Sequence, residues 1–135
     1  MGPVPYASEQ VVLDDLKHSE EEGGVFCGIY INDEMAGVVD FVLSNFDGEP
    51  KDAFISLLMI DMDYRRNGLG KEVVKSVEAE ILKNKHIERI SSGVQINNIS
   101  AINFWIGMGY KIIAGPELLP DSTVCYKLKK DIRNA

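Results

Sequence analysis

The chain has 135 residues and a mass of 15.0 kDa, the size of one domain and too short for two separately cored ones, so residues 1–135 are read as a single unit. Hydrophobic residues make up 45% and charged ones 26%, which excludes a disordered, collagen-like or low-complexity chain. The net charge of −7 and a pI near 4.8 repel phosphate backbones and anionic lipid, so neither nucleic acid nor a membrane surface is an expected partner.

No run of 18 or more apolar residues occurs, and the opening Met-Gly-Pro-Val-Pro-Tyr has no basic segment followed by an apolar one. The expectation is therefore a cytoplasmic protein that neither spans a membrane nor is exported. Cys27 and Cys125 lie far apart without a CxxC or Cys/His cluster, so they read as two buried thiols of a cytosolic protein. His18 and His86 sit in charged stretches, and no metal site is expected.

In chain order, Ser8 to Glu22 reads as a helix, capped by Ser8, with Val12 and Leu16 four apart and Gly23-Gly24 to end it. Val25 to Ile31 and Ala36 to Ser44 are β-rich runs joined at Asn32-Asp33-Glu34, a hairpin turn without the strong Asn-Gly signal, and Asn45 to Pro50 marks a second turn. Ala53 to Met62 is almost unbroken in apolar character, which suits a central strand covered on both faces. Gly68 to Lys85 follows as a helix whose Leu69, Val73, Val77 and Ile81 recur at steps of four and lie on the sheet. Ile87 to Gln95 is a further strand, parallel to the previous one because a helix separates them. Asn98 to Met108 is a short helix stopped by Gly109. Tyr110 to Ala114 and Ser122 to Leu128 are closing strands around the loop Gly115 to Pro120. No internal repeat is found, and the class is mixed α/β.

The chemistry concentrates in Leu58 to Glu72, where a buried strand runs into Arg65-Arg66-Asn67-Gly68-Leu69-Gly70-Lys71 and then a helix. Such a turn presents unpaired backbone N–H groups at the positive end of a helix dipole, with no Cβ at Gly68 or Gly70 in the way. It suits an anion, phosphate above all, and Arg65, Arg66, Lys71 and Lys75 add positive charge. A mononucleotide P-loop is excluded because Glu72 follows Gly70-Lys71 and Arg65 stands where its first glycine belongs. A dinucleotide fingerprint is excluded because Val73 replaces its third glycine and the preceding strands are antiparallel.

What remains, Arg-x-x-Gly-x-Gly over Arg65 to Gly70, resembles the acyl-CoA signature of the GNAT superfamily of N-acyltransferases. A second stretch, Asn98-Ile99-Ser100-Ala101-Ile102-Asn103-Phe104-Trp105-Ile106-Gly107-Met108-Gly109-Tyr110, resembles that family's Asn-x-x-Ala motif ending in an aromatic pair and Gly-Tyr. The resemblance implies an α+β fold: a mostly antiparallel sheet with a central, splayed parallel pair and flanking helices. The family usually has a strand before its first helix, and only residues 1–7 precede Ser8, so this edge strand is expected to be missing or reduced.

The same resemblance implies acetyl-CoA or coenzyme A as co-substrate, held between the strand ending near Met62 and the one ending near Gln95. Backbone groups at Ile60 and Met62 would hold the pantetheine amides. Amides of Arg66, Asn67, Gly68, Leu69, Gly70 and Lys71 would cradle the pyrophosphate, with salt-screened help from the Arg65 and Arg66 side chains. Asn98, Ala101 and Trp105 share one helix face, Asn98 toward the cofactor arm and Trp105 near the sulfur; Phe104 reads as a core aromatic.

The implied reaction is acetyl transfer to a primary amine of a small molecule, or a protein N-terminus or lysine, by direct attack in a ternary complex, in a monomer or homodimer. A backbone N–H of Met59 to Asp61 would stabilise the oxyanion. Trp105 stands where many members carry a Tyr acid, and Ser56 where many carry a Glu base. Candidate catalytic residues are thus Trp105, Ser56 and Asp61, with Asp40 a second base through water and Tyr110 or Tyr126 a donor. An acyl-CoA-binding sensor or docking domain without turnover is the rival reading, and a purely structural glycine turn a third.

Overall fold

The computed structural model describes residues 11–19 and 24–132, with residues 11–19 and 65–67 described as backbone. Its strands are β1 (Val11–Ser19), β2 (Gly24–Ile31), β3 (Glu34–Val42), β4 (Asp52–Ile60), β5 (Arg89–Gln95), β6 (Lys111–Leu118) and β7 (Val124–Asp131), and its helices are α1 (Leu69–Ile81) and α2 (Ile99–Gly107). They form a seven-stranded sheet in the order β1-β2-β3-β4-β5-β7-β6. Among the described strands only β4 and β5 pair in parallel, joined by the α1 crossover that such a pair needs.

The helix expected over Ser8 to Glu22 is corrected. Val11–Ser19 is a strand, paired antiparallel with β2 from Val11↔Ile31 to Ser19↔Gly24. Its register shifts between Asp15 and Lys17, so a bulge at Leu16 breaks strand alternation and mimics a four-residue period with only two apolar positions. Ser8 and residues 20–23 lie outside the described residues. Residues 20–23 alone separate this strand from β2, and residues 1–7, where the edge strand was expected to be missing or reduced, lie outside the described residues.

The β2–β3 turn is a two-residue hairpin with Asn32 at φ 50° and Asp33 at φ 70°, the doubly left-handed backbone of a type I′ turn, which Asn and Asp tolerate. Strand β4 ends at Ile60, so Met62 opens a 3-10 turn, Met62–Asn67. The stretch expected as a loop at Gly115 extends β6 to Leu118, with a cis Gly115-Pro116 bond inside the strand. Pro116 is tolerated there because β6 is an edge strand and needs no outward donor. Cys27 is buried as expected, whereas Cys125 is only half-buried.

The stripe of α1 is buried as its spacing dictates: Leu69, Val73, Val77 and Ile81 are wholly inaccessible, each worth ~1.5–3 kcal/mol of burial. They share one core with Val39, Phe41, Ala53, Ile55, Ile90 and Leu128 of the sheet and with Trp105 of α2. Both helices lie on one face, since Glu78 of α1 meets Tyr110 just after α2. Among the described residues no helix covers the other face, where Leu57 and Met59 are 38% and 56% exposed and Phe46 of the 43–51 connection stacks on Phe54 at 4.1 Å.

One buried group makes the stability pH-dependent. The Tyr110 hydroxyl donates to Glu78 Oε2 at 2.7 Å, and burial, then the Glu78 charge, push its pKa far above the ordinary phenol value. A raised folded-state pKa means that the stability it adds is complete below the unfolded value near 10 and is lost as pH rises past it, by about 1.4 kcal/mol per pH unit. Urea unfolding at pH 9 and pH 11 should show a larger drop for the wild type than for Tyr110→Phe; equal drops would contradict this.

Candidate functional site

The site arises where β4 parts from its neighbours. Against β3 the register jumps from Asp40↔Leu57 to Phe41↔Ile55, leaving Ser56 as a bulge whose Oγ donates to the Asp40 carbonyl at 2.9 Å. Against β5 the pairing runs only from Asp52↔Arg89 to Ile55↔Ser92, and there the buried Ser92 Oγ donates to the Ile55 carbonyl at 3.1 Å. Two serines thus satisfy carbonyls at the bulge in the β3 ladder and at the end of the β5 ladder. Gly37 lets β3 follow the bent strand, because a side chain there would strike the Met59 carbonyl.

Beyond Ile55 and Ser92 a slot of about 780 Å³ opens between the strands. The Asp61 N–H donates to the Ala36 carbonyl at 2.7 Å, toward β3. Strand alternation therefore turns the N–H and C=O groups of Leu58 and Ile60 the other way, into the slot. Asp61 also accepts from the Asp63 N–H at 3.0 Å through its carboxylate, capping the 3-10 turn, and Tyr64 donates to Glu34 at 2.6 Å, tying that turn to the β2–β3 hairpin.

At the end of the slot stands the N-terminus of α1. Gly68 is its N-cap, left-handed at φ 77° and ψ 16°, and makes no side-chain cap. The first intrahelical bond is Glu72 N–H to the Gly68 carbonyl at 3.1 Å, so the N–H groups of Leu69, Gly70 and Lys71 have no acceptor within the helix. Nothing lies within 4 Å of where a Gly68 Cβ would be. This end of the slot can take an anion with several oxygens.

The opposite wall is α2. Asn98 caps it, its Oδ1 accepting from the Ala101 N–H at 3.1 Å, which leaves its amide NH2 for the slot it lines together with Ser100, Ala101, Phe104 and Trp105. Phe104, read from sequence as core, is half-buried in the lining, and a methyl on Gly70 would come within 3.2 Å of it. Trp105 is 6% exposed and packs edge-on against Phe104 at 5.4 Å and Tyr110 at 4.9 Å.

Of the residues expected at the site, Ser56, Ile60, Gly68, Gly70, Lys71, Asn98, Ala101 and Trp105 line the slot. Leu69 is buried in the core, so only its backbone can contribute, and Met62 points outward, 74% exposed. The side chains of Arg65, Arg66 and Asn67 lie outside the described residues. Asp61, Asp40, Tyr110 and Tyr126 are not in the lining, and the hydroxyl of Tyr110 is held by Glu78. Lys71 is the one ionisable side chain of the lining among the described residues. Sequence reasoning missed Ser92, Gln95 and Ser100; the signal for Ser92 and Gln95 was polarity within an apolar strand, and Ser100 lies in the first turn of α2.

Residues 2–110 match the model of the acetyltransferase (GNAT) family. No curated protein matches the chain. The fold is shared with an acetyltransferase from Thermus thermophilus, at a TM-score of 0.69 and 20% identity over 84% of this chain and 67% of that one. It is shared also with a GNAT family acetyltransferase from Elizabethkingia anophelis with acetyl-CoA bound, at a TM-score of 0.69 and 13% identity over 92% and 98% of the two chains. A Bacillus subtilis acetyltransferase in complex with CoA superposes with a TM-score of 0.69 and 15% identity over 93% and 99%. The family match runs through both the glycine turn and the α2 segment that wall the slot, and the chain belongs to the GNAT acetyltransferase family.

Proposed function

We propose that the chain transfers an acyl group, acetyl in the first instance, from coenzyme A to a primary amine. The observation that carries this is a slot between splayed parallel strands that ends at an uncapped, glycine-led helix N-terminus. The residues fit the co-substrate in order along the slot: N–H groups of Leu69 to Lys71 for the diphosphate, backbone groups of Leu58 and Ile60 for the pantetheine amides, and Trp105 for the sulfur end.

The neutral amine attacks the thioester carbonyl, a C–N bond forms, the C–S bond breaks, and the sulfur leaves as thiolate. Strand alternation makes the Leu58 N–H the candidate for the oxyanion; that of Asp61, already given to Ala36, is not one. The Trp105 indole N–H can donate a hydrogen bond to the thiolate but no proton, so the proton shed by the amine returns to sulfur through water. The half-buried Asp40, paired in register with Leu57 of the lining, is the carboxylate assigned to relay it. Leu57 and Met59 carry the slot to the uncovered face of the sheet, and the acceptor, small molecule or protein amine, enters there.

The absence of any acid or base side chain but Lys71 from the described lining favours one second reading, a domain that binds acyl-CoA without turnover. Calorimetric titration with acetyl-CoA and free CoA tests the site, and thiol release with polyamines, amino acids, peptides and aminoglycosides tests turnover. Saturable binding with thiol release supports transfer, binding without release supports the second reading, and no binding of either ligand refutes both.

A further inference from the structure

We propose that Glu78, Tyr110 and Lys130 form a positioning brace that holds the Trp105 wall of the slot at a fixed distance from the glycine turn of α1. Glu78 lies on the flank of α1, 9% exposed, and Tyr110, 1% exposed, follows α2. The Tyr110 hydroxyl donates to Glu78 Oε2 at 2.7 Å, and Lys130 Nζ of β7 donates to both carboxylate oxygens at 3.2 Å. The ammonium also stands 5.7 Å from the Tyr110 ring centroid.

The trio joins α1, β7 and the connection after α2, and converges on one aromatic ring. That ring is the surface against which Trp105 packs edge-on at 4.9 Å, and the Tyr110 N–H donates to the Trp105 carbonyl at 3.0 Å. The indole is therefore located from α1 through Glu78 and Tyr110. At its other end α1 carries Gly70, whose Cα face meets Phe104, the residue before Trp105. Helix α1 thus touches the α2 wall twice: at the phosphate-side turn, and about 12 Å along its axis at Glu78. Two separated contacts fix both the spacing and the tilt of α2.

Stability alone does not explain the trio, because a buried ion pair is commonly matched or bettered by apolar residues of the same volume. Directional bonds add what apolar contacts lack, a single orientation for the Tyr110 ring and so for the indole. Glu78 and Lys130 touch nothing in the slot and act only through Tyr110 and Trp105; they are positioning residues.

The inference rests on the slot being the CoA site, but its first readout does not. Trp105 is the only tryptophan of the chain, so its emission reports the wall in the ligand-free protein. In Glu78→Leu/Lys130→Met, which leaves no unpaired charge, the emission should move to the red, CoA should bind about 10-fold more weakly, and kcat should fall more than KM rises. Glu78→Gln, which keeps an acceptor for Tyr110, should restore the emission toward the wild type. A folded double variant with wild-type emission and wild-type CoA affinity overturns the brace. If the double variant does not fold, Tyr110→Phe decides: it keeps the ring and loses the bond, and unchanged emission with unchanged affinity overturns the brace equally. Loss of CoA binding in the wild type itself would refute the proposed function while leaving the emission shift to judge the brace.

Discussion

Gly68→Glu is expected to lose about 100-fold or more in CoA affinity, some 2.7 kcal/mol by calorimetry, while Gly68→Asn keeps most of it. The cause is twofold. Gly68 is left-handed at φ 77°, a conformation that costs a residue with a Cβ roughly 1–2 kcal/mol, least for Asn. The larger effect is occupancy: a glutamate there can swing its carboxylate onto the N–H groups of Leu69 to Lys71, satisfying the site with the protein's own anion. The melting temperature of Gly68→Glu should change little, because the strain and the new cap oppose each other. Wild-type CoA affinity in that variant would remove the diphosphate from the mouth of α1.

Trp105→Ala should destabilise the protein by about 3–5 kcal/mol, as for a buried aromatic truncated to a methyl, and weaken CoA binding with it. Trp105 is 6% exposed between two edge-on rings, so its loss empties the wall of the slot. Trp105→Tyr behaves differently. The smaller ring still packs on Tyr110, binding stays within a few-fold, and the new hydroxyl brings a transferable proton beside the leaving sulfur, for which a positioned acid is worth about 10²-fold in rate. Thermal unfolding, CoA titration and initial rates separate the two variants. A tyrosine variant that loses affinity as badly as the alanine one would make Trp105 a packing residue only.

The parts of the fold legible in the sequence are those where one period repeats long enough. Leu69, Val73, Val77 and Ile81 give a helix and its buried face without ambiguity, and the apolar run of β4 gives a central strand, but not the cover expected on both its faces, since Leu57 and Met59 are exposed. The first strand was not legible, since Val12 and Leu16 are only two points and the bulge at Leu16 removes the alternation that marks a strand. The phosphate end of the slot could be read from Gly68 and Gly70 because glycine spacing states a backbone requirement directly. Glu78 could not: on a helix bristling with Glu and Lys, nothing local separates a carboxylate that turns inward from one that faces solvent, and its partners Tyr110 and Lys130 lie 32 and 52 residues away. Ser92, and the hydrogen bond made by Ser56, were hidden for the same reason, because the acceptors are carbonyls exposed only once β4 bends.

The sheet is two antiparallel leaves, β1 to β4 and β5 to β7, sewn along four residue pairs between Asp52–Ile55 and Arg89–Ser92. That seam is reinforced by Arg89, whose Nε donates to Asp52 Oδ1 at 2.7 Å. Helix α1 is the strap across it, resting on β4 and bolted through Glu78 to Lys130 of the second leaf. The two leaves meet like the halves of a book on a short spine, and the width of the page opening is set from the spine and the strap. Amide exchange in native protein should register this as two blocks of differing protection that meet at residues 52–55 and 89–92.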